Sequence, residues 1–476
     1  MIISKPITRL FNLSLRLGVV PQEWKQARVT PIHKGGDKDN VNNYRPISIL
    51  PTIMKVLEKA VHSQLHDHLL EFDLLNAQQS GFRKGYSTNT LLTYVSDNLH
   101  RNIDSGKLTG IVFLDIRKAF DSVDHSKLLE KLYTYGVRGN TLSWFESYLR
   151  GRYQCTLVQR ARSDLQVLQS GVPQGSILGP LLFTLFMNDL PNSVEHSKVM
   201  LYADDTAIMF SALNPKEIES TMNSDLDRVK SWLCHNKLSL NTDKTNFLLV
   251  GTPQKLRHIE APIDIKIDGL QIRQVEHVKY LGVWLDQHLN WNEHMKHTSS
   301  KIASRLALLR RVRKYLTIDS AKLLANALVL PYFDYCCTSW SNCNQGLRDT
   351  LIKLHKQMAR IVLQMNVLTP SSEMFSKLKW MNMEKRWQFQ KCKLMFDIVN
   401  GYSPSYLQDM FTQSAATHRY STRIADTRGL VIPKVKTENG RRAFSFEGAM
   451  TWNNLPSELR NAQTKQSFCT SYFRNM

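Results

Sequence analysis

The sequence predicts an α+β fold, and three observations carry that prediction. The first is a β-hairpin within Lys198-Val-Met-Leu-Tyr-Ala-Asp-Asp-Thr-Ala-Ile-Met-Phe210, where two apolar runs, Val199 to Tyr202 and Ala207 to Phe210, flank a short polar centre. The second is the uninterrupted apolar run Ile111-Val-Phe-Leu114, as expected of a strand buried on both faces. The third is helical periodicity on either side. From Pro51 to Phe72 the apolar residues Ile53, Val56, Leu57, Val61 and Leu65 recur at helical spacing, and a helical face returns beyond residue 290.

The hairpin and the buried strand both meet carboxylates. Asp204 and Asp205 stand side by side where a two-residue hairpin turn prefers Asn-Gly or Asp-Gly. Neighbouring like charges raise each other's pKa, which costs stability unless a cation intervenes. Asp115 ends the buried strand, where an unpaired charge is strongly disfavoured. Asp121 and Asp124 have a cheaper explanation, at the start of a helix that runs to Tyr135 and stops at Gly136. The candidates for chemistry are therefore Asp115, Asp204 and Asp205. Mg²⁺ suits them, because it takes oxygen ligands from one or two carboxylates together with substrate phosphates and water.

Composition narrows the partner. Of 476 residues, 42% are hydrophobic and 22% charged, as in a folded globular chain. Sixty-two Lys and Arg against 41 Asp and Glu leave a net charge of +21, which points to nucleic acid. Seven scattered cysteines suggest a reducing compartment without a disulfide framework. The adjacent pair Cys336-Cys337, with Cys343 and His355 beyond, does not fit zinc-ligand spacing. No segment approaches the ~18–20 apolar residues of a membrane span. The expected setting is intracellular, nuclear and/or cytoplasmic, with no secretory signal and no membrane. The N-terminal residues, with Leu10, Phe11, Leu13, Lys5, Arg9, Arg16 and no acid before Glu23, read as a basic amphipathic helix, with a transit peptide as the alternative.

In chain order, a strand from Ala27 to His33 leads into a Gly-rich turn carrying Lys34 and returns from Tyr44 to Ile49 with Arg45. That pair could offer a fork and a point charge to a triphosphate. The loop from Gln78 to Tyr86 sets two glycines around Arg83 and Lys84, as a backbone-binding loop for a template strand would. A helix from Asn89 to Ile103 follows. Gly171, Gly175 and Gly179 lie in a loop that opens an apolar helix, allowing another backbone or a flat ring to approach. Residues 291–364 carry twelve Lys and Arg against four Asp and Glu, including Arg310-Arg-Val-Arg-Lys314. Ile302, Leu306 and Leu309 give this stretch an apolar helical face. The basic run reads as a nucleic-acid contact, with a solvated face and a nuclear localisation signal as alternatives. Residues 365–476 alternate helical stretches, such as Met383 to Val399, with a Gly-containing segment over 427–446, and carry no assigned site.

Seven segments together resemble reverse transcriptases of non-LTR (LINE-type) retrotransposons. They are Tyr44-Arg-Pro-Ile-Ser48, Gly81-Phe-Arg, Phe113-Leu-Asp-Ile-Arg-Lys-Ala-Phe-Asp121, Gly171-Val-Pro-Gln-Gly-Ser176, Tyr202-Ala-Asp-Asp205, Leu240-Asn-Thr-Asp-Lys-Thr245 and Tyr280-Leu-Gly-Val283. The resemblance covers roughly residues 20–290. It implies a right-hand polymerase with fingers (21–105), an antiparallel palm (106–290) and a basic helical thumb (291–364), preceded by an N-terminal helix (1–20) and followed by a mostly helical extension (365–476). It further implies RNA-directed DNA polymerase activity on an RNA or DNA template, with a DNA primer, dNTPs and Mg²⁺, Mn²⁺ being the alternative ion. Asp115, Asp204 and Asp205 would hold the metal with the Ile116 carbonyl. Lys34, Arg45, Phe120 and Gln174 would contact the nucleotide, with Phe120 as the steric gate under its sugar. Lys244 would protonate the pyrophosphate. Arg83, Gly175, Tyr280 and Gly282 would contact template or primer. Related elements carry an upstream endonuclease that is not seen here, so the chain reads as a truncated copy or a partial gene model. A catalytically inactive RNA-binding remnant is the rival reading, and a metal-dependent nuclease a third.

Overall fold

The computed structural model describes residues 3–414 and 428–474. At its centre five strands lie in the order Arg273–Val275, Asn246–Val250, Leu108–Leu114, Asp205–Ala212 and Lys198–Tyr202. Neighbours are antiparallel except for the first pair, which is parallel. Every residue of Leu108–Leu114 is buried, and its alternation divides the core in two. Leu108, Val112 and Leu114 pack with the helices Thr52–Glu71, His125–Thr134, Gly139–Leu149, Leu178–Met187 and Pro215–His235. Ile111 and Phe113 pack on the other side with Thr88–Asp104 and Asn292–Val312. Burying each such side chain contributes about 1.5–3 kcal/mol. A strand clamped on both faces is a rigid support for whatever stands at its end.

A second sheet forms the arm above the cleft. Gln26–His33 pairs antiparallel with Tyr44–Ile49, from Arg28↔Ile49 to His33↔Tyr44. Its other edge pairs parallel with Arg152–Val158, which in turn carries Ala161–Arg162 and Gln166–Leu168. The helix expected from Asp121 is shorter and starts later. A 3-10 turn, Ala119–Ser122, comes first, and the helix His125–Thr134 is capped by Asp124, whose carboxylate accepts from Lys127 N at 2.9 Å. Asp121 lies outside that helix and is free for another role.

Helix Asn292–Val312 buries Ile302, Leu306 and Leu309, the face its periodicity predicts. The run Arg310 to Lys314 is not a uniformly solvated face. Arg313 is buried, and its guanidinium donates to the carbonyls of Val362 at 2.8 Å and Leu316 at 2.7 Å. Beyond it, among the helices from Ser371–Leu378 to Lys465–Arg474, Ser405–Gln408, Glu438–Arg442 and Phe444–Asn453 lie against Thr88–Asp104. Asp97 accepts from Ser445 N at 2.7 Å, and Asp104 accepts from Thr437 N at 2.6 Å. The Gly-containing segment includes the helix Glu438–Arg442, and its first residue, 427, lies outside the described residues. Among the described residues the cysteines are free, and no helix is long and apolar enough to cross a membrane.

Candidate active site

The hairpin closes at Tyr202↔Asp205, so its two turn residues are Ala203 and Asp204. The turn thus sits one residue earlier than an Asp204-Asp205 centre would place it, and Asp205 opens the second strand. The adjacent strand pairs Leu114 with Thr206, which brings Asp115 level with Asp205. All three acids share one field. The cleft walls strip water from Asp204 and raise its pKa; Asp115 adds to this, while Arg45 and Lys34 pull it back. Asp205 is pushed up to about 6 by the same desolvation and by the charges of Asp204 and Asp115. Such repulsion is what a divalent cation would relieve. The carboxylates are nevertheless not gathered into a closed cage. Among the described residues no group of three His, Cys, Asp or Glu stands in metal-holding proximity. Asp115 is instead turned to Asn241, whose Nδ2 donates to its Oδ2 at 2.9 Å.

Two supports hold the acids, and neither was evident from residue patterns. The first is Gln79, fully buried, whose Oε1 accepts from Gly81 N at 2.7 Å and from Ala203 N at 3.2 Å. Ser80 N donates to Leu201 O and Leu201 N to Gln78 O, so the loop runs as an extra edge beside the hairpin. A Cβ on Gly81 would lie 2.3 Å from Ala203 N. That glycine therefore serves the approach of the hairpin turn rather than of a template. The second support is the segment after Ser239. Arg117 N donates to Ser239 O, Ile116 bridges Leu240, and Asn241 N donates to Asp115 O at 2.8 Å.

On the opposite wall Phe120 is half-buried. Its ring stacks on Phe183 at 4.2 Å, and the exposed Phe82 stands edge-on at 6.4 Å. Gln174 Nε2 donates to Asp121 Oδ1 at 3.0 Å. This corrects the assignment of Asp121 to a helix start. Gln174 O also accepts from Ser48 N at 2.7 Å, which ties the loop to the strand bearing Arg45. Gly175, at φ +120, has Ser48 O where a Cβ would come within 2.4 Å, so its lack of a side chain has a packing cause. Beneath the loop, buried Glu58 accepts from Ile177 N at 2.6 Å and from the Tyr148 hydroxyl at 2.8 Å.

The family model described as "Reverse transcriptase (RNA-dependent DNA polymerase)" matches residues 32–285, more than half of the chain. The chain belongs to the reverse transcriptase family. Its five-stranded, mostly antiparallel sheet is accordingly the palm sheet of a right-hand polymerase fold, and reverse transcriptases use divalent metal ions. The chain is 30% identical over 348 residues to a probable RNA-directed DNA polymerase from transposon BS of Drosophila melanogaster, covering 70% of this chain and 37% of that one. It is 26% identical over 408 residues to the corresponding protein of the X-element, covering 84% and 43%. These relatives place it with the non-LTR, LINE-type elements, although it spans less than half of their length. Apo telomerase from Candida tropicalis aligns at a TM-score of 0.43 with 11% identity over 85% of this chain and 68% of that one, too weak to carry an argument.

The remaining candidates are Lys244, Arg83, Tyr280 and Gly282. Lys244 is exposed in the loop after Asn241 and has no carboxylate partner among the described residues. The Arg83 guanidinium is engaged at home, donating to Asn76 O at 2.7 Å and Gln79 O at 3.2 Å and lying over the Tyr86 ring. Tyr280 needs correction as a primer contact. Its ring is 4% exposed and packs 5.0 Å from Phe113, leaving the exposed Gly282 at the turn for that role.

Proposed function

We propose that the chain is an RNA-directed DNA polymerase that extends a DNA primer with dNTPs on an RNA template, DNA templates being accepted too. The observation that carries this reading is the meeting of Asp115, at the end of a clamped strand, with Asp204 and Asp205 on the neighbouring hairpin, faced by Arg45 and Lys34. Asp115, Asp204 and Asp205, with the Ile116 carbonyl, would hold Mg²⁺. Mg²⁺ ions bound there would lower the pKa of the primer 3′-hydroxyl and neutralise charge on the pyrophosphate. Asn241 keeps the Asp115 carboxylate oriented, and Gln79 keeps the turn in place. Arg45 and Lys34 bind the triphosphate, Gln174 orients the nucleotide, and Lys244 hands a proton to the pyrophosphate oxygen. Phe120, braced by Phe183, excludes a 2′-hydroxyl by bulk. Residues 21–105 act as fingers, 106–290 as palm and 291–364 as thumb, within the nucleus or cytoplasm.

Primer extension on RNA with dNTPs and Mg²⁺ tests the reading. Asp204→Asn should lose at least about 10³-fold in rate, since charge stabilisation at the reacting phosphate is removed. Full activity in that variant overturns the assignment. Phe120→Val should admit ribonucleotides while lowering the melting temperature, because the Phe183 ring loses its partner. Unchanged sugar selection in a destabilised variant removes Phe120 from the gate.

A further inference from the structure

Between the loop 81–87 and the C-terminal helices lies a groove of about 780 Å³, whose C-terminal wall the polymerase reading does not use. Lys84 and Tyr86 line it from the loop, Lys393 and Asp397 from the helix Met383–Val399, and Tyr402 and Lys465 close it. Its charge is one-sided. The single acid, Asp397, is already neutralised by an ion pair with Lys465. Lys84 and Lys393 have no carboxylate partner among the described residues, and the Lys393 ammonium lies 5.6 Å from the Phe389 ring. Tyr402 is 57% exposed, an open aromatic face beside those cations. Cations interleaved with exposed aromatic rings are the pattern that binds single-stranded nucleic acid, phosphates to the charges and bases to the rings. A duplex keeps its bases stacked on one another and could not use Tyr402 in this way.

The loop wall of the groove is tied to the acidic hairpin. The residues just before its loop wall are hydrogen-bonded to the acidic hairpin, Ser80 N to Leu201 O at 2.8 Å and Leu201 N to Gln78 O at 3.0 Å. Loop and extension are pressed together, since a Cβ on Gly85 would come within 3.0 Å of Tyr402 O. The Tyr406 hydroxyl meets Ser80 Oγ at 3.1 Å and Thr90 Oγ1 at 3.3 Å. The gap is thus built from two firmly docked walls. We propose that it binds the single-stranded template RNA ahead of the active site, with Lys84 and Lys393 on its phosphates and Tyr402 against a base. The identity of the strand rests on the polymerase reading; the groove itself does not.

The test uses the full chain and a labelled oligouridylate, with binding measured at several salt concentrations. Lys393→Gln should weaken binding and make the salt dependence shallower by about 0.7, the value of one phosphate contact on a single strand. Tyr402→Leu should weaken binding about 5- to 100-fold, the range for losing one base stack, with the salt slope unchanged. Binding of an RNA–DNA duplex should be unaffected by either. In primer extension both variants should slow synthesis on templates with a long single-stranded 5′ overhang and spare those with a short one. Variants that melt like the parent and bind oligouridylate with its affinity and slope overturn the proposal, as does an equal loss on duplex. A parent chain that binds oligouridylate through Lys393 and Tyr402 yet extends no primer upholds the groove and refutes the polymerase reading.

Discussion

Two hairpins of this reverse transcriptase family member end on nearly the same frame and solve it differently. His277–Tyr280 and Val283–Asp286 close at Tyr280↔Val283 around Leu281, at φ +46, and Gly282, at φ +83. Positive φ at both central residues matches the twist of the flanking strands, and glycine takes it without strain. The acidic hairpin closes at Tyr202↔Asp205, but its turn holds Ala203 and Asp204, and of these only Ala203 takes a positive φ, +58. The first turn has a glycine at its second position, and the Tyr335 hydroxyl donates to Leu281 O at 2.8 Å. The second carries a carboxylate, Asp204, where turn chemistry prefers glycine, and Gln79 accepts from Ala203 N to hold it. A turn with a carboxylate in place of glycine leans on a neighbour to hold the backbone.

The comparison can be broken in four places. Gln79→Leu should have the largest effect, because it leaves Gly81 N and Ala203 N without an acceptor, at about 1–3 kcal/mol each. Thermal melting should drop by several degrees, and dNTP incorporation should fall with it. Parental activity in that variant would mean the acidic turn holds itself. Gly282→Ala should cost about 1–2 kcal/mol for the left-handed backbone, and more if the Tyr335 ring, 3.1 Å from the added Cβ, cannot yield. Extension rate per folded molecule should change far less than for Gln79→Leu. Ala203→Gly should run the other way, stabilising the fold by up to about 1 kcal/mol as strain is released. A lower denaturation midpoint there would show that Ala203 is not strained.

The smallest effect concerns acid. His294 Nδ1 lies 3.5 Å from Trp284 N on the glycine-turn hairpin, and burial, with Lys301 and His297 nearby, pushes its pKa down to about 4. The folded chain keeps it neutral while the unfolded chain takes a proton below about 6.5, so its contribution is present above that pH and fades as pH falls toward 4. Melting curves between pH 7 and pH 5 should show this loss, and His294→Gln should flatten it.

How much of this was legible in sequence follows from the range of each signal. The strand ending at Asp115, the helices Thr52–Glu71 and Thr88–Asp104 and the hairpin itself announce themselves by local periodicity; the structure has the helices and hairpin within a residue or two and begins the strand three residues before Ile111. The turn was misplaced by one position, because alanine gives no warning of a left-handed backbone. Strand Arg152–Val158 escaped notice, since its partner Gln26–His33 is more than a hundred residues away. Gln79, Asn241 and Asp121 were passed over for a related reason. Each acts through a hydrogen bond to a distant segment, and nothing in its immediate neighbours shows that bond. Tyr280 sits in a recognisable motif, yet its ring turns inward against Phe113.

The contact between Asp104 and Thr437 spans 333 residues. On a ribosome adding roughly 5–20 residues per second, the helix Thr88–Asp104 therefore waits about 20–70 s for the segment that covers it. Through that interval Asp97 and Asp104 lack their caps, and the apolar flank beside them faces water or a chaperone. The palm strands are complete long before then. Synthesis of this chain thus passes through a stage in which Asp115, Asp204 and Asp205 are assembled while the surface behind them is still sticky, and yield in a cell should depend on how quickly the last hundred residues arrive.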